Sequence, residues 1–375
     1  MSPASTVPPI RVLLVDDAVV IRHLLTEILG TDPEIEIAGT AANGRIALQK
    51  MTQVNPDVVI LDIEMPVMDG LTTLRELRND WPRLPVIMFS TLTERGAGAT
   101  LDALSLGASD YATKPSNTPS AEAALASVRD ELLPKIKALG RRPAPVRMPL
   151  PTSMRSVGTR GAGTRTARPV VEAVVIGVST GGPVALAELI PALPADFPVP
   201  VLVVQHMPPV FTRLLADRLD AQSGLAVREG HDGDAVQAGS VLIAPGDRHM
   251  VIVRDRTSIR VATNDGPPEN SCRPAVDPLF RSAAAVYGEG TLAVVLTGMG
   301  HDGLLGSQRV REVNGNVIAQ DQATSVVWGM PGSVAESGVA TSVLPIEEIA
   351  AEIVHLVAQG RTLQPTAFAS RSSSS

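Results

Sequence analysis

Short apolar runs alternate with amphipathic stretches from Ile10 to about Ala138: "IRVLLV", "IEIAG", "DVVILD", "LPVIMFS" and "ASDYATK". Continuous apolar strands separated by helical patterns predict a parallel sheet buried on both faces, and five such units suit one doubly wound, flavodoxin-like domain over residues 10–138. The pattern then stops. Residues 139–169, including "RRPAPVRMPLPTSMRSVGTRGAGTRTARP", carry no apolar period and are rich in Pro, Gly, Arg, Ser and Thr, the composition of an extended basic linker.

Strand patterns resume with "VEAVVIGVS", "VPVLVVQHM", "GSVLIAP", "TLAVVLTG" and "NVIAQD", with helical segments such as "PPVFTRLLADRLDAQ" and "DGLLGSQRVREVNG" between them. "HMVIVRDRTSIRVAT" reads as two alternating strands with a polar turn, an antiparallel excursion. Residues 170–360 therefore predict a second, Rossmann-like α/β domain, closed by a helix near Ile346–Gln359 and a frayed tail over 361–375.

Composition changes this picture little. At 375 residues, 44% hydrophobic and 19% charged, the chain has room for two cores and is globular rather than disordered. A net charge of −7 argues against a nucleic-acid partner. Its single cysteine, Cys272, excludes an internal disulfide and fits a reducing compartment. No segment approaches the roughly 20 apolar residues of a membrane span, and "MSPASTVPP" has no apolar signal core. The expectation is a cytoplasmic monomer that does not insert in membranes.

The candidate chemistry stands at strand ends. Asp16 and Asp17 follow the first strand, Asp62 the third, Ser90 the fourth and Lys114 the fifth. In a parallel sheet these ends share one edge, where three carboxylates favour a hard divalent cation such as Mg²⁺. A single such Asp is more often a turn or capping residue; the three together with a lysine point to a site.

In the second half, "GVSTG" puts Ser179 at a strand-to-helix turn, with Pro183 in the first turn of the helix that follows. A dinucleotide-binding turn is the rival use of this stretch, but the middle glycine of that fingerprint is replaced by Ser179. His206 ends the next strand, a position for a base. "LTGMGHDG" delivers Asp302 to the same edge, where it either orients that base or caps the helix "GLLGSQRVREV". The order Ser, His, Asp differs from that of an ordinary α/β-hydrolase. His249, beside "PGDR", reads as structural or at the edge of a substrate site.

Over residues 10–135 the Asp pair, "LDIEMPVMDG", Ser90, Tyr111 and "TKP" resemble the receiver domain of two-component response regulators. The resemblance implies that Asp62 accepts a phosphoryl group from a CheA-type histidine kinase, that Asp16, Asp17, Asp62 and the Glu64 backbone carbonyl hold Mg²⁺, and that Ser90, Tyr111 and Lys114 form the phosphoryl switch. Over residues 170–360, "VSTGG", "QHMP", "APGDRHM", "CRPAVDPLF" and "LTGMGHDG" resemble the catalytic domain of the CheB family, the chemotaxis protein-glutamate methylesterases. That implies hydrolysis of glutamate γ-methyl esters on the signalling helices of methyl-accepting chemoreceptors, and deamidation of certain glutamines, for sensory adaptation. Ser179, His206 and Asp302 would form the triad, Thr180, Met299 and Gly300 would support the oxyanion, and the ester chemistry would need no cofactor. "CRPAV" carries Cys272 where the family often has histidine. A phosphoacceptor tethered to a hydrolase further suggests that the unphosphorylated first domain covers the esterase edge. The rivals are a DNA-binding regulator and a receptor scaffold with an idle triad.

Overall fold

A computed structural model describes residues 8–115, 121–141, 170–256, 258–359 and 361. Most of the expected linker (142–169) and of the expected tail (362–375) lies outside the described residues.

The first half is built on strands β1 (Ile10–Val15), β2 (Ile35–Ala41), β3 (Val58–Asp62), β4 (Val86–Ser90) and β5 (Asp110–Thr113), with α1 (Val19–Gly30), α2 (Gly44–Val54), α3 (Gly70–Asp80), α4 (Glu94–Ser105) and α5 (Ala121–Gly140). The sheet is parallel in the order β2-β1-β3-β4-β5, as the apolar runs predict. β3 and β4 are buried at every position, so their sequences carry no polar face. Helix α5 runs through Gly140, so the first two residues of the expected linker are helical.

The second half is a seven-stranded parallel sheet of β6 (Ala173–Val178), β7 (Val201–Gln205), β8 (Ala226–Glu229), β9 (Ser240–Ile243), β12 (Thr291–Val295), β13 (Asn316–Gln320) and β14 (Ser342–Leu344). Its order is β14-β13-β12-β6-β7-β9-β8. The antiparallel pair β10 (His249–Asp255) and β11 (Ser258–Asn264) stands apart as its own two-stranded ribbon. The helices are α6 (Gly182–Leu189), α7 (Pro209–Gln222), α8 (Val276–Tyr287), α9 (Leu304–Glu312), α10 (Met330–Glu336) and α11 (Ile346–Gln359). Strands β12, β6 and β7 lie side by side at the centre, with β6 followed by β7 on one side and flanked by β12 on the other; such a switch point is where a crevice forms beyond the C-terminal strand ends.

The two halves pack directly on each other. Tyr111 on β5 stacks on Phe211 of α7, ring centroids 4.8 Å apart and planes 11° from parallel. Leu101, Leu104 and Tyr111 belong to the same buried cluster as Leu186, Phe211, Leu215 and Leu219. At the rim, Arg218 pairs with Asp102 at 2.7 Å, and Arg213 pairs with Glu94.

Candidate active site and phosphoacceptor pocket

The first site is the acidic edge of the five-stranded sheet. Asp16 and Asp62 are buried, Asp17 is exposed, and ligand oxygens of all three lie within 4.8 Å of one another. Lys114 Nζ lies 2.8 Å from Asp16 Oδ2 and 2.9 Å from Asp62 Oδ1. Burial, reinforced by the charge of Asp16, pushes the Asp62 carboxyl above its ordinary value against the pull of Lys114. Burial would discharge Lys114, but hydrogen bonds to the two carboxylates outweigh it and raise the ammonium. The three carboxylates offer only oxygen donors, two of them from buried side chains, so the residues present fit a hard divalent cation.

The other expected switch residues are differently engaged. Thr100 donates to the Gly96 carbonyl at 2.7 Å, which leaves the Ser90 hydroxyl to donate to Thr100 Oγ1, also at 2.7 Å. Tyr111 is buried against the second half rather than in the pocket. Glu64 is exposed and its side chain faces Arg95 at 3.4 Å.

The second site lies beyond β6, β7 and β12. Val178 on β6 registers with Gln205 on β7, so Ser179 and His206 occupy the next positions along adjacent parallel strands, and His206 N donates to the Val178 carbonyl. The turn holding Ser179 is fixed from three sides. Ser179 N donates to the Thr297 carbonyl at 3.0 Å, and the Ser179 carbonyl accepts from Gly182 N at 2.8 Å and from Gln205 Nε2 at 3.0 Å. Two glycines permit this approach: a Cβ on Gly298 would lie 2.8 Å from Ser179 Cβ, and Gly181 has φ 79° with Val326 2.6 Å from where its Cβ would stand.

His206 Nε2 lies 2.9 Å from Asp302 Oδ2, and Asp302 is buried. Asp302 does not cap α9, whose N-cap is Gly303 with no side-chain bond. It receives the start of α8 instead: Val276 N donates to Oδ2 at 2.7 Å, and Asp277 N to Oδ1 at 3.1 Å. Gly303 N and Asn270 Nδ2 also donate to Oδ1, each at 2.9 Å. Burial would raise this carboxyl, but the bond and charge of His206 and the α8 amides hold it below the usual carboxylate value. For His206, burial opposes the imidazolium; hydrogen bonds to Asp302 and Cys272, with their charges, outweigh it and push the imidazole up to about 9.

Three residues around this pair are given no site role by the sequence, although Cys272 and Asp277 stand in the family stretch "CRPAVDPLF". Asn270 Nδ2 bridges Asp302 Oδ1 and Asp277 Oδ2, and Asp277 Oδ1 accepts from Gly306 N at 2.6 Å. Burial, together with the charge of Asp302, raises the Asp277 carboxyl. Cys272 Sγ lies 3.4 Å from His206 Nδ1. Among the described residues, no hydrogen bond joins Ser179 Oγ to His206.

The expected oxyanion residues divide. Thr180 is buried and its hydroxyl donates to Asp110 Oδ2 in the first half at 2.9 Å, beside the half-buried Lys135. Met299 and Gly300 follow Gly298 at the mouth of the crevice, with Gly300 exposed. His249 is structural: Ala275 N donates to its Nδ1 at 3.2 Å, so Nε2 donates to the Pro267 carbonyl at 3.0 Å.

Comparison with known proteins finds relatives of both halves of the chain. Residues 174–353 match the family model described as CheB methylesterase, and residues 12–126 match that of the response regulator receiver domain. A protein of Trichodesmium erythraeum named protein-glutamate methylesterase/protein-glutamine glutaminase is 50% identical over 351 residues, 93% of this chain and 99% of its own. One of the same name from Nocardioides sp. is 51% identical over 94% of this chain and 97% of its own. The crystal structure of the Thermotoga maritima CheB methylesterase catalytic domain is 47% identical, covers 50% of this chain and 100% of its own, and superposes with a TM-score of 0.49.

Proposed function

This chain belongs to the CheB methylesterase family, with a receiver domain ahead of the catalytic one, and on that footing we propose that it is a phosphorylation-activated serine hydrolase whose triad is Ser179, His206 and Asp302. Its substrates are glutamate γ-methyl esters on the signalling helices of methyl-accepting chemoreceptors, and its output is sensory adaptation. The observation that carries this reading is the His206–Asp302 bond at 2.9 Å, standing one strand from the fixed turn of Ser179.

Ser179 Oγ attacks the ester carbonyl carbon as His206 takes its proton. The imidazolium so formed is stabilised by Asp302, which α8 keeps ionised. His206 then returns the proton to the leaving oxygen, methanol departs, and water repeats the sequence on the acyl-enzyme. A primary amide follows the same route with ammonia as leaving group, which accounts for glutamine deamidation. Negative charge on the carbonyl oxygen is met by backbone N–H groups at Met299 and Gly300; among the described residues neither N–H has a protein acceptor. With Asp302 holding Nε2, Nδ1 is the nitrogen left to act as base.

The receiver gates this chemistry. Asp62 is the phosphoacceptor for a histidine kinase of the chemotaxis type; Asp16, Asp17, Asp62 and the Glu64 carbonyl would hold Mg²⁺, which when bound would supply positive charge for the transferring phosphoryl oxygens. Lys114, held by both buried carboxylates, is placed to follow the phosphoryl group, and Ser90 would turn from Thr100 to meet it. The Tyr111–Phe211 stack and the Thr180–Asp110 bond support a closed state in which the receiver covers the turn of Ser179. Phosphorylation draws Tyr111 and the β5 end away and opens the site.

A fluorophosphonate probe tests the nucleophile. Ser179 should be its site of attachment, and labelling should speed up when acetyl phosphate and Mg²⁺ are added. Labelling elsewhere, or at a rate indifferent to phosphorylation, would contradict the proposal.

A further inference from the structure

Resting on the triad proposed above, the geometry points to a fourth residue acting on it: we propose that Cys272 is a positioning residue that holds His206 Nδ1, the nitrogen Ser179 needs, and so parks the base. An imidazole has two nitrogens. Asp302 takes Nε2 at 2.9 Å, and the sulfur of Cys272 stands 3.4 Å from Nδ1, close enough to share a proton with it as thiolate and imidazolium. The proton so held occupies the lone pair that the serine hydroxyl needs. Catalysis begins only when Nδ1 exchanges its partner.

The ring is held for this competition from both ends. Asp302 is locked by the first turn of α8 and by Asn270, so Nε2 has a fixed address. Cys272 sits just before α8, where its own backbone pairs with Glu269: Cys272 N donates to the Glu269 carbonyl at 2.9 Å, and Glu269 N to the Cys272 carbonyl at 3.1 Å. That small loop is anchored by Arg281, whose guanidinium meets Glu269 at 2.7 Å. The ionisable groups around the imidazole are thus Asp302 and Cys272 in contact, with Asp277 behind Asn270 and Arg281 on α8 near both carboxylates.

The same pairing acts on the thiol. A proton passed from sulfur to Nδ1 leaves a thiolate beside an imidazolium, the arrangement that makes a cysteine nucleophilic. Cys272 is partly exposed and is the only cysteine in the chain, so its reactivity can be read without ambiguity.

The test uses the full-length protein in three forms: wild type, Cys272→Ala and Cys272→Ser. Methanol release from methylated receptor is followed against pH with acetyl phosphate and Mg²⁺ present. The alanine variant should move the inflection of the rate profile downward, and the first pH unit it falls raises the neutral imidazole fraction at pH 7 about tenfold. The serine variant, which keeps a hydrogen bond but not an ionisable group, should fall between, and it decides the matter if the alanine variant does not fold. In parallel, iodoacetamide alkylates the thiolate: the C–S bond forms, iodide leaves and the thiol proton stays on Nδ1. Wild-type Cys272 should react about tenfold faster at pH 7 than the same residue in His206→Asn. Profiles that superimpose for all three forms, or alkylation as fast without His206, would overturn the proposal. Absence of methanol release from the wild type would instead strike the esterase reading, while the alkylation rates still judge the thiol–imidazole pair.

Discussion

The hydroxyl of Thr180 donates to Asp110 Oδ2 at 2.9 Å, tying the residue beside Ser179 to a strand of the receiver sheet. Asp110 is also 3.4 Å from Lys135 Nζ, and Lys135 lies 4.9 Å from the ring centroid of Tyr111. The contact between halves is therefore a buried polar cluster backed by an aromatic stack, and not only surface charge. Magnitudes separate its parts. The Arg218–Asp102 pair is half exposed and worth about 0–1 kcal/mol, whereas an aromatic pair contributes about 0.5–1.5 kcal/mol beyond the area it buries.

It follows that Tyr111→Ala should raise methanol release in the absence of phosphodonor by about threefold to tenfold or more, since about 1.4 kcal/mol is a factor of ten in the open population. Arg218→Ala should raise it by less than about fivefold. Assays of the unphosphorylated variants side by side check the ranking; equal rates for both and for wild type would remove the closed state from the account.

Asp62→Asn cannot form an acyl phosphate. Its basal rate should match wild type, and acetyl phosphate with Mg²⁺ should give no stimulation. Chelation with EDTA should do to the wild type what this substitution does, because Asp16, Asp17 and Asp62 gather the oxygen donors such an ion needs. Stimulation that survives EDTA would place the regulation elsewhere.

The imidazole of His206 gives a pH prediction with a definite sign. A histidine raised in the folded state contributes stability fully below its unfolded value near 6.5, and that contribution disappears as pH climbs through about 9. Urea denaturation should therefore show stability falling between pH 6.5 and 9, with His206→Asn flattening that part of the curve. In the same window the closed-state rate should rise with pH, since only neutral imidazole accepts the serine proton.

Asn270 bridges two buried carboxylates, Asp277 and Asp302. Asn270→Ala leaves both short of a donor and should lower kcat about 10- to 100-fold with little change in KM, as expected when the orienting acid loses its support. Steady-state kinetics on methylated receptor separates the two constants.

The central strands were legible because they are buried on both faces: "VVILD" and "AVVIGV" leave no polar alternation to confuse with a helix. The edge strands β8 and β14 were not legible. "AVRE" and "SVL" are short, pair on one side only and carry too few apolar residues to stand out. The strand-end positions of Ser179, His206, Asp16, Asp62 and Lys114 follow from sequence, since a parallel sheet sends every C-terminal end to one edge. The surroundings of Asp302 do not. Its bonds to the first turn of α8, and those of Asn270 and Cys272, depend on how the β11–α8 loop folds back, which no local period encodes. The engagement of Thr180 by Asp110 is likewise a contact over 70 positions, set by the packing of one half on the other.

The most direct test of the account is methanol release from methylated chemoreceptor by wild type and Ser179→Ala, each with acetyl phosphate and Mg²⁺. Wild type should turn over, and the alanine variant should lose about 10⁴- to 10⁶-fold, as serine triads do when the nucleophile is removed. Release by Ser179→Ala within about tenfold of wild type would contradict the assignment of the nucleophile, and with it the role given to the crevice beyond β6.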